Sequence, residues 1–463
     1  MKPFITDNFL LRTNAAVELY NHCKDLPIID YHCHFRPKDL AENKRFTNIT
    51  ELALGDDHYK WRLMRANGID EQYITGDGPD EEKFRHWCAT VEDAIGNPLY
   101  HWTYLEMQRY FGYSGPITAA KADYIYAHCN EIINSEDFSV WGILKKFRIT
   151  MMGTTDHPTD NLEYHAQMAQ HTQNDPDLPV VQPTFRPHIG VWGQGFAGYM
   201  EKLGEAAGIQ IKNWDDLLTA FARRIHFFHS MGCRISDHGL DFFVYEEGGN
   251  EEAIMQKALR GQAITSAEAN RFRTALMTSL AQQYAAKGWA MQLRMSGQGN
   301  NNYRRQQEVG GSGFASMSDE PISVHLSKLL NAMDMKKALP KTILYSLNPA
   351  SDVMLSVLIG CYQGDGIPGK IQWGCPWWFN DNKTGIQSHL TALANNGMLA
   401  RFIGMLTDAR SYMSFPRHEY FRRVMCQTIG DWVENGEFPG DWDKLRQIVG
   451  DIAYYNAKKY FSL

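Results

Sequence analysis

Several features that would commit a chain to a secretory, membrane or polyanion-binding role are missing from this sequence. Its 463 residues include eight cysteines, at positions 23, 33, 88, 129, 233, 361, 375 and 426, widely spread and without a C-x-x-C pair. That spacing forms no dense disulfide framework, and it reads as reduced core thiols of a cytoplasmic protein. No stretch approaches the ~18 apolar residues of a membrane span. The start, Met1-Lys2-Pro3-Phe4-Ile5-Thr6-Asp7, lacks the uninterrupted apolar segment of a secretion signal. Positive charge is in deficit, with 46 Lys and Arg against 53 Asp and Glu and a formal net charge of −7. The basic residues are scattered, so neither a nucleic-acid nor a membrane partner has an electrostatic footprint. Also absent are G-x-x-x-x-G-K-[ST], H-E-x-x-H, G-x-S-x-G and a glycine fingerprint after the first predicted strand, which removes the best support for nucleotide-dependent and serine-hydrolase chemistry.

What is present is ample core material, 44% hydrophobic and 12% aromatic. Short apolar or β-branched runs recur along the chain: Leu26–His34, Phe147–Thr154, Pro179–Phe185, Gly232–Asp237, Gly288–Arg294, Lys341–Leu347, Lys370–Cys375 and Arg401–Thr407. Helix-length segments such as Ser266–Lys287 and Ile322–Met335 separate them. Eight strand–helix units predict an α/β protein with a parallel sheet, closed as a distorted (β/α)8 barrel. The long interval after the first run carries aromatic-rich helical patterns such as His101–Phe111. We therefore expect residues 1–35 and 148–463 to form the barrel and 36–147 a mainly helical insertion that contributes to the active site. A second long loop follows the fifth run, from Ser296 through Gly313. Both segments leave the end of the barrel where active sites form.

His32-Cys33-His34 closes the first run. A period of two puts Asp30, His32 and His34 on one face and Cys33 on the other. Two inward imidazoles can bind one divalent cation. With 17 histidines in the chain, about 0.6 H-x-H matches arise by chance, so position at a strand end, more than the pattern itself, makes the pair a candidate. Asp408-Ala409-Arg410 follows the eighth run, which in a closed barrel neighbours the first. Asp408 is either a third ligand and proton acceptor or a loop salt bridge or helix N-cap, and Arg410 is a candidate for a substrate carboxylate. Arg186, between Pro183 and Pro187, and Asp237, ending the fourth run, are candidate substrate contacts or, respectively, a surface arginine and a turn residue. His58-Tyr59-Lys60-Trp61-Arg62 suits a wet pocket or, by pattern alone, an amphipathic helix start. Trp377, beside Trp378, would wall a sugar site or pack.

Together these residues resemble the uronate (glucuronate) isomerases of the amidohydrolase superfamily. The resemblance runs nearly end to end, through Asp7-Asn8-Phe9-Leu10-Leu11, Asp30-Tyr31-His32-Cys33-His34, Asp57-His58-Tyr59-Lys60-Trp61-Arg62, Thr154-Thr155-Asp156, Pro183-Thr184-Phe185-Arg186-Pro187, Ser236-Asp237-His238-Gly239, Trp377-Trp378-Phe379-Asn380-Asp381, Gly404-Met405-Leu406-Thr407-Asp408-Ala409-Arg410 and Pro416-Arg417-His418-Glu419-Tyr420-Phe421-Arg422-Arg423. It implies aldose–ketose conversion of D-glucuronate to D-fructuronate and of D-galacturonate to D-tagaturonate, through an enediol. It also implies one divalent metal ion, with zinc the expected species, on His32, His34 and Asp408. Asp408, Tyr59 and His58 are the implied catalytic residues, and Arg186 and Arg410 the implied binders of a small hexuronate. One segment departs from the family pattern. Where members read Gln-Leu-His-(Ile/Leu)-Gly-Ala-x-Arg-Asn-Asn-Asn, this chain has Gln292-Leu293-Arg294-Met295-Ser296-Gly297-Gln298-Gly299-Asn300-Asn301-Asn302, so Arg294 replaces a histidine and Gly299 an arginine. A cation beside a metal ion is unfavourable unless an anion intervenes, and a shifted register would turn Arg294 out of the cavity. Two other readings use the same residues: a mononuclear metal hydrolase or lactonase, and an impaired sugar-acid binding protein. A homo-oligomer is compatible with the sequence.

Overall fold

Seven of the eight apolar runs, and two short segments of the loop after the fifth run, become strands in the computed structural model, which describes residues 4–188, 190, 192–310 and 313–463. They are β1 (Ile28–Asp30), β2 (Ile149–Gly153), β3 (Val180–Gln182), β4 (Thr184–Phe185), β5 (Ile235–Asp241), β6 (Ala290–Met295), β7 (Gly297–Gln298), β8 (Ser316–Met317), β9 (Lys341–Ser346) and β10 (Ile371–Trp373). Seven of the eight expected barrel staves are here, because β3 and β4 are one run interrupted at Pro183. A proline has no N–H to give to a ladder, and the parallel order β1-β2-β3 passes to β4-β5-β6-β9-β10 through a single bridge between Asp156 and Phe185. Between consecutive staves lie helices with local reasons to start where they do. Asn213 caps Trp214–Ser230, and Thr265 with Glu268 forms a capping box on Ser266–Ala286. The architecture is a distorted (β/α)8 barrel.

The eighth stave departs from expectation. Residues 401–407 run along β1 without forming a strand. The physical cause is left-handed backbone in the middle of the run and just past its end, Gly404 at φ +76° and Asp408 at φ +51°. At Gly404 a Cβ would lie 2.2 Å from the Ile452 carbonyl oxygen, so only glycine fits. Side chains replace part of the missing ladder. The Asp30 carboxylate accepts from Thr407 N at 2.7 Å and Thr407 Oγ1 at 2.6 Å, and the Tyr31 hydroxyl donates to Gly404 O at 3.0 Å. Two backbone bonds remain, Asp408 N to His32 O at 3.2 Å and His34 N to Ala409 O at 2.8 Å. On its other side the stave meets β10 through Gln372, whose Nε2 donates to Arg401 O at 3.0 Å. Among the described residues no backbone ladder closes the ring there.

Two further differences bear on the site. Asp237 was expected at the end of its strand, but β5 continues to Asp241, which puts Asp237 inside the sheet and alongside β6. The loop after β6 is also more ordered in pattern than its glycines suggest. It holds the antiparallel pair β7–β8 and the helix Tyr303–Val309, and Gly299 within it is exposed.

Between Asp30 and Ile149 the chain forms helices only, including His58–Ala66 and Pro98–Phe111. Asp57 starts the first by accepting from Tyr59 N and Lys60 N. The two helices are tied by buried Lys60, 3.1 Å from Glu106 and 3.5 Å from Asp57. The long helix Pro416–Glu434 buries most of its surface and packs on Asn14–Cys23, where Gly430 allows close approach to Ala16. No described helix is long and apolar enough to cross a membrane.

Candidate active site

Where β1 meets the irregular eighth stave, three ligand-type side chains converge. His32 Nε2 lies 3.0 Å and His34 Nε2 3.2 Å from the same oxygen, Asp408 Oδ1. Yet His32 Nε2 and Asp408 Oδ1 are buried without a well-aligned hydrogen bond. They face one another as donors around a common centre. Ligands about 2.0–2.1 Å from a tetrahedral ion stand about 3.3 Å apart, close to the spacing here. One atom of each residue lies within 4.8 Å of the others. Burial, with the charge of Arg294, lowers the His32 pKa, and burial lowers that of His34 to about 4. Both rings are therefore neutral near pH 7 and have lone pairs to offer. Burial opposes the Asp408 charge, but Arg294 and the two imidazoles outweigh it and hold the carboxyl well below its ordinary range. Two neutral imidazoles and one carboxylate are a donor set that fits a divalent ion. Trp377 completes the pocket wall, its Nε1 donating to Asp408 Oδ2 at 2.5 Å.

Arg294 points into this cavity, which removes the idea that a shifted register turns it away. It is 3% exposed, donates from Nε to Asp237 Oδ1 at 2.9 Å, and holds Nη1 3.6 Å from Asp408 Oδ1. Its guanidinium carbon lies 4.7 Å from the centre of the Tyr345 ring and 4.9 Å from that of Trp377. The expected conflict between this cation and a metal is relieved by the carboxylates that intervene. Asp237 is a shared counter-ion: Arg186 Nε lies 3.4 Å from its other oxygen. Burial would raise the Asp237 pKa, but Arg294, Arg186 and His32 hold it far down. His238, next along β5, faces the opposite way and packs near Tyr284, with ring centroids 5.7 Å apart. Arg410 is exposed on the rim and has no ion-pair partner among the described residues, though its charge contributes to the lowered pKa values of His34 and His58.

The helix His58–Ala66 begins beside this cluster, with Arg410 and Asp408 near enough to act on the charge of His58. The His58 and Tyr59 rings stack with centroids 5.0 Å apart, and His58 meets Trp378 edge-on at 5.0 Å. The pocket-versus-helix alternative for this motif resolves as both. The Tyr59 hydroxyl donates to Asp381 Oδ2 at 3.1 Å, and Arg417 Nη1 stands 3.7 Å from the same oxygen. Arg417 also lies over the rings of Trp102 at 4.3 Å and Tyr59 at 5.1 Å. Burial, only partly offset by Arg417, raises the Asp381 pKa to about 6, while burial and the neighbouring Asp381 push the Tyr59 hydroxyl well above its usual value. Burial lowers His58 to about 4. Asp381 and Arg417 escaped the reading of single residues. Each lies within a motif that carried the family resemblance, but their pairing spans the fold.

The family model described as glucuronate isomerase matches residues 1–461. The uronate isomerase of Caldanaerobacter subterraneus subsp. tengcongensis is 48% identical, with 100% of each chain covered. That of Bacillus subtilis is 47% identical, covering 100% of this chain and 98% of its own. Among solved structures, the uronate isomerase of Thermotoga maritima superposes with a TM-score of 0.92 at 30% identity, over 99% of this chain and 100% of that one. Glucuronate isomerase from Caulobacter crescentus shares the fold, with a TM-score of 0.88 at 23% identity over 99% and 97% of the two chains. With matches of this extent on top of a buried His–His–Asp centre at the mouth of a barrel, the chain belongs to the glucuronate isomerase family.

Proposed function

We propose that the protein is an aldose–ketose isomerase acting on open-chain hexuronates, interconverting D-glucuronate with D-fructuronate and D-galacturonate with D-tagaturonate. The observation that carries this reading is the set of groups around one cavity: the His32, His34 and Asp408 cluster at its base, Tyr59 hydrogen-bonded to Asp381 above it, and Arg186 and Arg410 toward its rim. The reaction moves a proton from C2 to C1 and another from O2 to O1, so it needs a base and acid beside the carbons and a cationic environment for the enediolate. Arg186 and Arg410 bind the substrate carboxylate and fix which end of the sugar enters. Asp408 and Tyr59 carry the proton transfers, with Asp381 orienting the Tyr59 hydroxyl and His58 holding its ring by stacking. Asp237 holds Arg186 in place and Trp377 walls the sugar. A divalent ion, zinc in our reading, held by His32, His34 and Asp408, supplies Lewis acidity when bound.

We also assign residues 1–35 and 148–463 to the catalytic barrel and 36–147 to a helical insertion that delivers His58 and Tyr59. Eight cysteines without a disulfide support a cytoplasmic setting. The test is direct. Purified protein is incubated with D-glucuronate and with D-galacturonate, and ketose formation is followed. Absence of ketose from both rejects the reading.

A further inference from the structure

Arg294 has donors to spare in a place where spare donors are costly. Its Nε is taken by Asp237, but Nη1 and Nη2 are buried and have no hydrogen-bond partner among the described residues. A buried guanidinium left half-satisfied points to a partner that arrives from outside. The group is anchored where it stands: Nε is bonded to Asp237, the rings of Tyr345 and Trp377 lie against the guanidinium, and β6 is paired on both sides, Arg294 being opposite Gly239 and Tyr345. Position identifies the partner. Nη1 lies 3.6 Å from the oxygen on which His32 and His34 converge, so whatever atoms react beside Asp408 are within its reach. Arg186 is one-third exposed and Arg410 exposed, which places the anion-binding arginines nearer solvent and Arg294 at the floor. A hexuronate held by its carboxylate at the rim presents its other end, C1 and C2 with their oxygens, to the floor.

We propose that Arg294 is a catalytic residue that binds O1 and O2 of the substrate through its two terminal nitrogens and stabilises the negative charge of the enediolate. The inference rests on the isomerase reading and extends it. A fork of two parallel N–H groups matches a pair of adjacent oxygens, and a permanent cation aimed where charge develops acts on the transition state more than on the ground state. No proton leaves Arg294. The C2 proton passes through Asp408 or Tyr59 to C1, and the guanidinium hydrogen-bonds the oxygens while their charge is highest.

Arg294→Lys keeps the charge opposite Asp237 and removes the fork; Arg294→Met removes both. For each, kcat and KM on D-glucuronate are measured together with bound divalent metal per chain and the thermal midpoint. We expect kcat to fall roughly 100-fold or more in both variants, with KM changed by less than about 5-fold and metal content equal to or above that of the parent. Should Arg294→Met fail to fold, Arg294→Lys alone decides. An unchanged kcat in a folded Arg294→Lys overturns the proposal, as does a fall in kcat that is matched by loss of metal and restored by saturating it. Failure of the parent protein to make ketose would instead overturn the isomerase reading and this inference with it.

Discussion

Replacing Asp237 by asparagine removes one negative charge from the centre of the barrel and leaves the shape intact. In the parent, a fully buried carboxylate lies between Arg294 Nε at 2.9 Å and Arg186 Nε at 3.4 Å. Asparagine can still accept from Arg294, but its amide group confronts Arg186 with a second donor, and Asp408 becomes the remaining nearby carboxylate for Arg294. Removing one member of a buried ion pair costs about 3–5 kcal/mol, because the surviving charge is stranded. For a chain of 463 residues the unfolding entropy is about 1 kcal/mol/K, so the thermal midpoint should fall by roughly 3–5 °C. The pH dependence has a definite sign. Since the folded-state pKa of Asp237 is depressed, its stabilisation is fully present above the unfolded value of about 3.9 and is lost as pH falls through the lower folded value. The gap between parent and variant should stay flat from about pH 5 to pH 9 and close only below about pH 4. Urea and thermal unfolding of both proteins measure it. A double variant with Arg294→Met no longer strands that arginine and should be less damaged than the two single losses added, by roughly 0.5–3 kcal/mol. A single-variant loss under about 1 kcal/mol, or strict additivity, would refute the shared counter-ion.

Three other outcomes follow from the same geometry. Metal analysis should find about one divalent ion per chain in the parent and none in His32→Ala, and stoichiometric metal in a His32→Ala, His34→Ala double variant would exclude the assignment. Arg186→Met should weaken D-glucuronate by roughly 2–5 kcal/mol and leave D-glucose little changed, with a smaller effect for exposed Arg410→Met; equal weakening of both sugars would count against a carboxylate role. Because Asp381 has a pKa raised to about 6 and accepts from Tyr59 as the carboxylate, kcat/KM should decline as pH falls through about 6, and this limb should vanish in Asp381→Asn; an unmoved limb would free Tyr59 from Asp381.

What the sequence made legible was local. His32 and His34 stand two apart at the end of an apolar run, and strand–helix alternation brings Asp408 beside them once a barrel is assumed. The eighth stave was drawn as a strand because Phe402–Thr407 is apolar, and composition does not reveal the left-handed turns at Gly404 and Asp408 that break it. The apolar run stops at Asp237, which puts that residue at a strand end with a substrate contact and a turn both open, whereas pairing with β6 carries the strand through to Asp241. The Asp381–Arg417 pair and the fixation of Arg294 by Tyr345 were out of reach for a different reason: these contacts join residues tens of positions apart, and no period or spacing encodes them.

The junction of β1 with the last stave also has a consequence for the order of events during synthesis. His34 and Asp408 are separated by 374 positions. At about 5–20 residues per second a ribosome needs roughly 20–75 s to pass from one to the other. Throughout that interval the nascent chain carries two histidines without the carboxylate that completes their site, and β1 lacks the neighbour that covers its outer edge. The helix Pro416–Glu434, which packs against Asn14–Cys23, emerges later still. Assembly of the active centre is therefore a late event of folding, and a chain released before Asp408 has the two histidines but not the carboxylate on which they converge.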